Sequence, residues 1–238
     1  MNIALIFAGG TGRRMNTRSK PKQFLELHGK PIIIYTLEHF QNHPLVGGIV
    51  VVCVEGWIET LRKLLKDYGI SKVRSVVPGG ATGHDSIYLG LNDMKAFACP
   101  DDIVLIHDGV RPLITSELIT QNIQTAKMLG NAITVEGVRE SVVRSSNGAK
   151  IDDVPPRDDM YIAKAPQTFF FRDIFSAYQR GQEDGFKSID SAHLCHKYGI
   201  PLHMVKSTQN NMKITDPADY YILRALYDAM ENEQIWGL

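Results

Sequence analysis

The chain has 238 residues, 44% hydrophobic and 22% charged, with 26 basic against 26 acidic side chains and so no formal net charge. That is the composition of a globular protein with one substantial core, and the charge balance argues against a broad nucleic-acid or anionic-membrane surface. Three widely spaced cysteines, Cys53, Cys99 and Cys195, argue against a disulfide framework or a CxxC zinc site. No apolar run reaches membrane-spanning length and no cationic leader precedes the first strand, so we expect a cytoplasmic protein.

In chain order, Ile3–Phe7 reads as a buried strand and Pro31–Phe40 as a helix, with Pro31 in its first turn. The near-continuous apolar run 48–54 suits a parallel strand covered on both faces. Trp57–Tyr68 reads as a helix, Val73–Val77 as a strand, Ser86–Phe97 as a helix and Ile103–Ile106 as a strand. Thr115–Leu129 follows as a helix with Ser116 as its cap, and Ala132–Val135 closes the alternation. Such alternation predicts a Rossmann-like α/β fold, a mostly parallel twisted sheet with helices on both faces and ligands at the carboxyl ends of its strands.

The pattern then breaks. Glu140–Arg144, the turn Ser146-Asn147-Gly148 and Lys150–Val154 read as a β-hairpin. A lone two-stranded ribbon is marginal in water, so residues 139–157 are expected to form a protruding β-arm used in homodimerisation, on a chain that is otherwise a single domain over 1–238. A helix at Ile189–Tyr198, a strand at Leu202–Val205 and a last helix from Pro217 complete the reading.

Four polar clusters fall where strands end. Gly9-Gly10-Thr11-Gly12-Arg13-Arg14 follows the first strand, with Lys20-Pro21-Lys22-Gln23 close behind. Three glycines in four positions let a backbone approach an anion and aim several N–H groups at it, and the added basic residues point to a nucleoside triphosphate. The spacing matches neither G-x-x-x-x-G-K-[ST] nor G-x-G-x-x-G. A second glycine loop, 78–83, leads to His84-Asp85-Ser86, and is also readable as a turn with Asp85 or Ser86 capping the helix. His107-Asp108 with Arg111-Pro112 is open to reading as a hydrogen-bonded pair beside a solvated arginine. Lys213, in Asn211-Met212-Lys213-Ile214-Thr215, is by itself an ordinary surface lysine, and Ser188, Asp190 and Ser191 resemble a helix cap. In a parallel sheet these loops crowd along one edge, which favours a shared site.

Together, Leu5–Met15 with Pro21-Lys22-Gln23, Gly79-Gly80 with Asp85-Ser86, His107-Asp108-x-x-Arg111-Pro112, Arg157, Ala165-Pro166-Gln167 and Asn211-x-Lys213-Ile214-Thr215-x-Pro217 resemble the polyol-phosphate cytidylyltransferases over residues 3–225. The resemblance implies a GT-A-like nucleotidyltransferase fold and a reaction in which CTP and a polyol phosphate give a CDP-polyol and pyrophosphate, the substrate phosphate attacking the CTP α-phosphorus in line. It implies catalytic roles for Arg14, Lys22 and Lys213. It implies CTP binding by Ala8, Gly9, Gly10, Thr11, Gly12, Gly80, Ser86 and Asp108, with Gly80 and Ser86 reading cytosine. Arg111, Ser141, Arg157 and Ala165 would meet the polyol phosphate, Arg157 reaching across from a partner subunit. Magnesium would be held by CTP phosphates, with Asp108 the one candidate protein ligand.

Two departures lie near the polyol pocket: Ala165 where the family has threonine, and Glu140-Ser141 where it has Asp-Thr. The longer Met15–Lys22 step, Trp57, Val154-Pro155-Pro156-Arg157 and Met160-Tyr161 resemble the branch acting on D-ribitol 5-phosphate more than the branch acting on methylerythritol 4-phosphate. Two competing readings are a uridylyl- or guanylyltransferase for sugar 1-phosphates, which the Asn211-x-Lys213 block does not suit, and an inactive nucleotide-binding subunit, which Arg14, Lys22 and Lys213 argue against.

Overall fold

The computed structural model describes residues 1–10, 20–208 and 210–236. Strand β1 (Asn2–Ala8) leads to a 3₁₀ turn at Lys22–Phe24 and the short antiparallel pair β2 (Glu26–Leu27) and β3 (Lys30–Pro31). Then come α1 (Ile32–Asn42), β4 (Gly48–Cys53), α2 (Ile58–Asp67), β5 (Val73–Pro78), α3 (Gly83–Met94), β6 (Ile103–Asp108), α4 (Ser116–Leu129) and β7 (Asn131–Gly137). The chain ends with β8 (Tyr161–Phe170), α5 (Phe171–Glu183), α6 (Ser191–Lys197), β9 (Met204–Lys206) and α7 (Pro217–Trp236).

The main sheet has the order β5-β4-β1-β6-β8-β7-β9. Every strand in it runs the same way except β8, which is antiparallel to both β6 and β7. The alternation along β1 divides the core: Ala4, Ile6 and Ala8 face a cluster with Ile34, Leu37, Phe40 and Ile119, while Ile3 and Leu5 face one with Leu91, Phe169 and Tyr178. Burying each isoleucine or leucine among these contributes about 1.5–3 kcal/mol, so the central strands fix the frame. A third cluster (Leu27, Ile32, Val110, Leu113, Ile214 and Leu223) fastens β2, the start of α1 and α7 against the loop after β6.

The predicted elements lie where expected to within two or three residues at their ends, although Pro31 closes β3 and precedes α1 rather than entering its first turn, and four further differences stand out. Helix α3 begins at Gly83 rather than Ser86, and its cap is Thr82: the Thr82 Oγ1 accepts from the Asp85 N–H at 3.1 Å while Asp85 accepts in return from the Thr82 N–H at 3.2 Å. Helix α4 is capped by Thr115, which accepts from the Leu118 N–H at 3.2 Å, and not by Ser116. Strand β8 and helix α5 were not foreseen, because β8 reads as a strand only once β6 and β7 stand on either side of it.

The fourth difference is the arm. Its turn forms as expected, with Asn147 Oδ1 accepting from the N–H groups of Ala149 and Lys150 at 2.9 and 3.0 Å, and Gly148 at φ +73°. Its strands do not form a ladder: the described pairing is one bridge, Arg144 with Asp153. Among the described residues nothing covers the segment, whose Val143, Ile151 and Val154 are all more than half exposed, and Pro155 and Pro156 lack the N–H groups that would extend the ladder. No helix among the described residues is long and apolar enough to cross a membrane.

Candidate functional site

Strand order reverses direction at β1, with β4 and β5 on one side and β6 on the other. An open α/β sheet leaves a crevice at such a point, outside the carboxyl ends of its strands. The loops after β1, β5 and β6 converge there. Gly9 and Gly79 pass so close that a Cβ on Gly9 would stand 3.0 Å from the Gly79 Cα and 2.8 Å from Ser86 Oγ. Glycine is required because the two backbones themselves touch. Ser86, buried in the first turn of α3, accepts from the Gly80 N–H at 3.1 Å, which fixes the rim of the second loop. Gln23, 1% exposed, donates to the carbonyls of Ala8 at 2.6 Å and Gly10 at 3.3 Å and holds the end of β1 in place.

Asp108 is the electrostatic centre. It closes β6 at 4% exposure, with Oδ1 2.5 Å from Lys213 Nζ and Oδ2 2.7 Å from Arg111 Nε. Burial raises the pKa of its carboxyl, but the adjacent Lys213 and Arg111 outweigh that and hold it well below the usual carboxylate range. His107 is not its partner, contrary to the paired reading. Successive strand residues point to opposite faces, and His107 Nε2 lies 3.3 Å from the Arg111 carbonyl instead. Burial pushes the His107 imidazole down to about 3, with the Asp108 charge opposing.

Arg111 is likewise not a solvated residue. It is 8% exposed, and its Nη1 donates to the Asn211 carbonyl at 2.9 Å while Asn211 Nδ2 donates to the Ala165 carbonyl at 2.7 Å. A chain of contacts thus joins β6, the loop before α7 and β8. Lys213 is held between Asp108 and the Phe7 ring, whose centroid is 5.7 Å from Nζ. Lys22 Nζ donates to the Ile214 carbonyl at 2.7 Å, so the opening and late lysines share one corner.

These groups line a cleft of about 640 Å³ that includes Ala8, Gly9, Gly10, Lys22, Gly80, Ser86, Asp108 and Lys213. A smaller pocket of about 270 Å³ shares Phe7, Gly83, Asp108 and Lys213 with it and continues to Arg111, Lys164, Ala165 and Asp190. A separate groove of about 480 Å³ beside α2 and β5 contains none of the candidate residues. Thr11, Gly12 and Arg14 lie outside the described residues. Ser141 and Arg157 are exposed on the arm and do not line either compartment; Arg157 donates to the Arg139 carbonyl at 3.4 Å. Asp190 caps α6 as expected, accepting from the His193 N–H at 2.7 Å, yet it also faces the smaller pocket.

The cleft offers no metal cage. Asp108 is the only carboxylate among its described lining residues, and each of its oxygens already accepts from a cation. The one described cluster of metal-ligating side chains, His28, Asp228 and Glu231, is exposed and outside the cleft. Sequence reasoning missed Lys164, Gln167, Tyr178 and Asp190 as pocket residues. Of these, Gln167 stood in a recognised motif and Asp190 in a recognised cap; nothing local marked Lys164 or Tyr178.

Known proteins resemble this chain over most of its length. The sequence profile of the family described as IspD: 2-C-methyl-D-erythritol 4-phosphate cytidylyltransferase matches residues 2–228. A ribitol-5-phosphate cytidylyltransferase of Streptococcus agalactiae serotype V is 48% identical over 239 residues and one of Vibrio parahaemolyticus 48% over 238, each covering all of both chains. A 2-C-methyl-D-erythritol 4-phosphate cytidylyltransferase of Clostridium botulinum is 36% identical over 219 residues, 92% of this chain and 93% of its own. The crystal structure of 4-diphosphocytidyl-2C-methyl-D-erythritol synthase from Anaerococcus prevotii superposes with a TM-score of 0.83 at 25% identity, over 95% of each chain. The chain therefore belongs to the IspD, or 2-C-methyl-D-erythritol 4-phosphate cytidylyltransferase, family.

Proposed function

We propose that this chain transfers the cytidylyl group of CTP to D-ribitol 5-phosphate, giving CDP-ribitol and pyrophosphate. The observation that carries this reading is the end-to-end 48% identity to ribitol-5-phosphate cytidylyltransferases, against 36% over a shorter span for a methylerythritol-phosphate enzyme. The site supports it: a glycine-walled cleft with lysines at one corner suits a triphosphate, and the pocket beyond Asp108 suits a second, smaller polar substrate.

In this reading a phosphate oxygen of ribitol 5-phosphate attacks the α-phosphorus of CTP in line. The bond from the α-phosphorus to the oxygen bridging it to the β-phosphorus breaks, and pyrophosphate leaves. Such a step needs positioning and neutralisation of charge rather than a covalent intermediate. Lys22 and Lys213, together with Arg14, supply positive charge at the α-phosphate, and Asp108 aims Lys213. The backbone at Gly9, Gly10 and Gly80 admits the nucleotide, and Ser86 with Gly80 reads cytosine. A divalent ion such as magnesium would be held mainly by the triphosphate oxygens and would neutralise their charge, with Asp108, whose oxygens also accept from Lys213 and Arg111, the one candidate protein ligand. Arg157 and Ser141 act on the polyol phosphate from the arm of a second copy in a homodimer. A reducing cytoplasm accords with the free cysteines Cys53, Cys99 and Cys195.

The test is pyrophosphate release with CTP and a panel of ribitol 5-phosphate, methylerythritol 4-phosphate and glycerol 3-phosphate. Ribitol 5-phosphate is expected to give the highest kcat/KM. Turnover only with methylerythritol 4-phosphate, or none at all, overturns the proposal.

A further inference from the structure

The smaller pocket holds a cation, Lys164, that stands outside the Asp108 cluster. Lys164 lies on β8, and its side chain is 11% exposed. Two other cations line the same pocket, but Arg111 and Lys213 are both drawn to Asp108. Lys164 is paired instead with Glu136 of β7, which is 17% exposed and does not line the pocket. Strand register explains the pairing: Glu136 stands opposite Ile162, so Lys164, two residues further along β8, is its diagonal neighbour on the same face.

An ammonium has three N–H donors. One carboxylate behind it leaves donors for a ligand in front while fixing where the nitrogen sits. A lysine kept this far from water, beside a pocket that joins the nucleotide cleft at Asp108 and Lys213, suits an anionic or polyhydroxylated second substrate.

We propose that Lys164 is a specificity-determining residue whose ammonium donates to the phosphorylated polyol in the smaller pocket, with Glu136 a positioning residue that acts through it. This rests on the reading of the chain as a ribitol-5-phosphate cytidylyltransferase.

The test is steady-state kinetics with each substrate varied in turn. A hydrogen bond from a charged donor is worth about tenfold or more in affinity. Lys164→Gln is therefore expected to raise KM for ribitol 5-phosphate at least about tenfold, leaving KM for CTP within about twofold. Lys164→Arg, which keeps the charge, is expected to recover most of the loss. Glu136→Gln raises KM for ribitol 5-phosphate less, and adds nothing in the Lys164→Gln background. That double variant replaces the ion pair with two neutral hydrogen-bonding side chains, so it keeps the test readable if Lys164→Gln alone leaves Glu136 unpaired and the chain unfolds. A KM for ribitol 5-phosphate within about twofold of wild type in the double variant, or equal rises in both KM values, overturns the inference. Failure of the wild-type protein to use ribitol 5-phosphate overturns the underlying function instead, and is seen before any variant is made.

Discussion

Asp108→Asn perturbs the site through charge while keeping its shape. In the native chain both carboxylate oxygens are engaged by cations, Lys213 at 2.5 Å and Arg111 at 2.7 Å, at 4% exposure. Asparagine removes the charge and replaces one acceptor with a donor that faces a cation. Arg111, 8% exposed, then keeps only the Asn211 carbonyl among its described partners. Breaking a buried ion pair from one side costs about 3–5 kcal/mol. Lys213, 37% exposed, can turn to water, which places the cost near the lower end, about 3 kcal/mol. For a chain of this size that lowers Tm by about 6–12 °C.

The pH dependence follows from the same contacts. Burial raises the Asp108 pKa, Lys213 and Arg111 lower it by more, and the folded value ends well below the ordinary 3.8. The unfolded chain therefore binds its proton first as the pH falls. The stabilisation is complete above about pH 4 and is lost progressively below it. Asparagine has nothing to titrate, so the gap between variant and wild type should shrink by about 1 kcal/mol on going from pH 5 to pH 3. Scanning calorimetry at pH 7, 5 and 3 measures both effects. A variant within about 2 °C of wild type at pH 7, or a gap that widens in acid, would refute the reasoning.

Further outcomes follow from other contacts. Lys22→Ala should lower kcat at least about a hundredfold while circular dichroism melts stay within about 2 °C of wild type, because the half-buried lysine braces the Ile214 carbonyl but fills no core; near-normal turnover would remove the lysine from the reaction. Gly9→Ala places a Cβ 2.8 Å from Ser86 Oγ, so calorimetric titration should show weaker CTP binding, with about 1–3 kcal/mol of stability lost to overpacking. His107 is held neutral by burial, its imidazole pushed down to about 3 from an ordinary 6.5. The unfolded chain thus takes up a proton that the native chain refuses, and stability should fall from pH 6.5 towards 3 with a slope near 1.4 kcal/mol per pH unit. In His107→Gln, urea titrations across that range should show this component of the slope removed; an unchanged slope would assign it elsewhere.

Much of the fold was legible because its signals are local. The apolar runs of β1 and β4 and the helix patterns between them depend on residues a few positions apart. The glycine loops were legible for the same reason, since only glycine tolerates the Gly9–Gly79 approach. Strand β8 was missed because it is inserted antiparallel between β6 and β7, a choice that no short window of sequence encodes. The cap of α3 was misplaced by three to four residues because Thr82, Asp85 and Ser86 are all good capping residues, and only backbone geometry selects among them.

The candidate site divides in the same way. Sequence by itself determined an α/β nucleotidyltransferase with Lys22, Asp108 and Lys213 at one sheet edge, since residue type and order along the chain carry that information. Tertiary structure decided what those residues do to one another. It turned Asp108 away from His107 and towards Arg111 and Lys213, tied Arg111 to Asn211 across 100 positions, and brought Glu136 diagonally against Lys164. Charges act through distance and burial, and both are set only when remote strands and loops pack together.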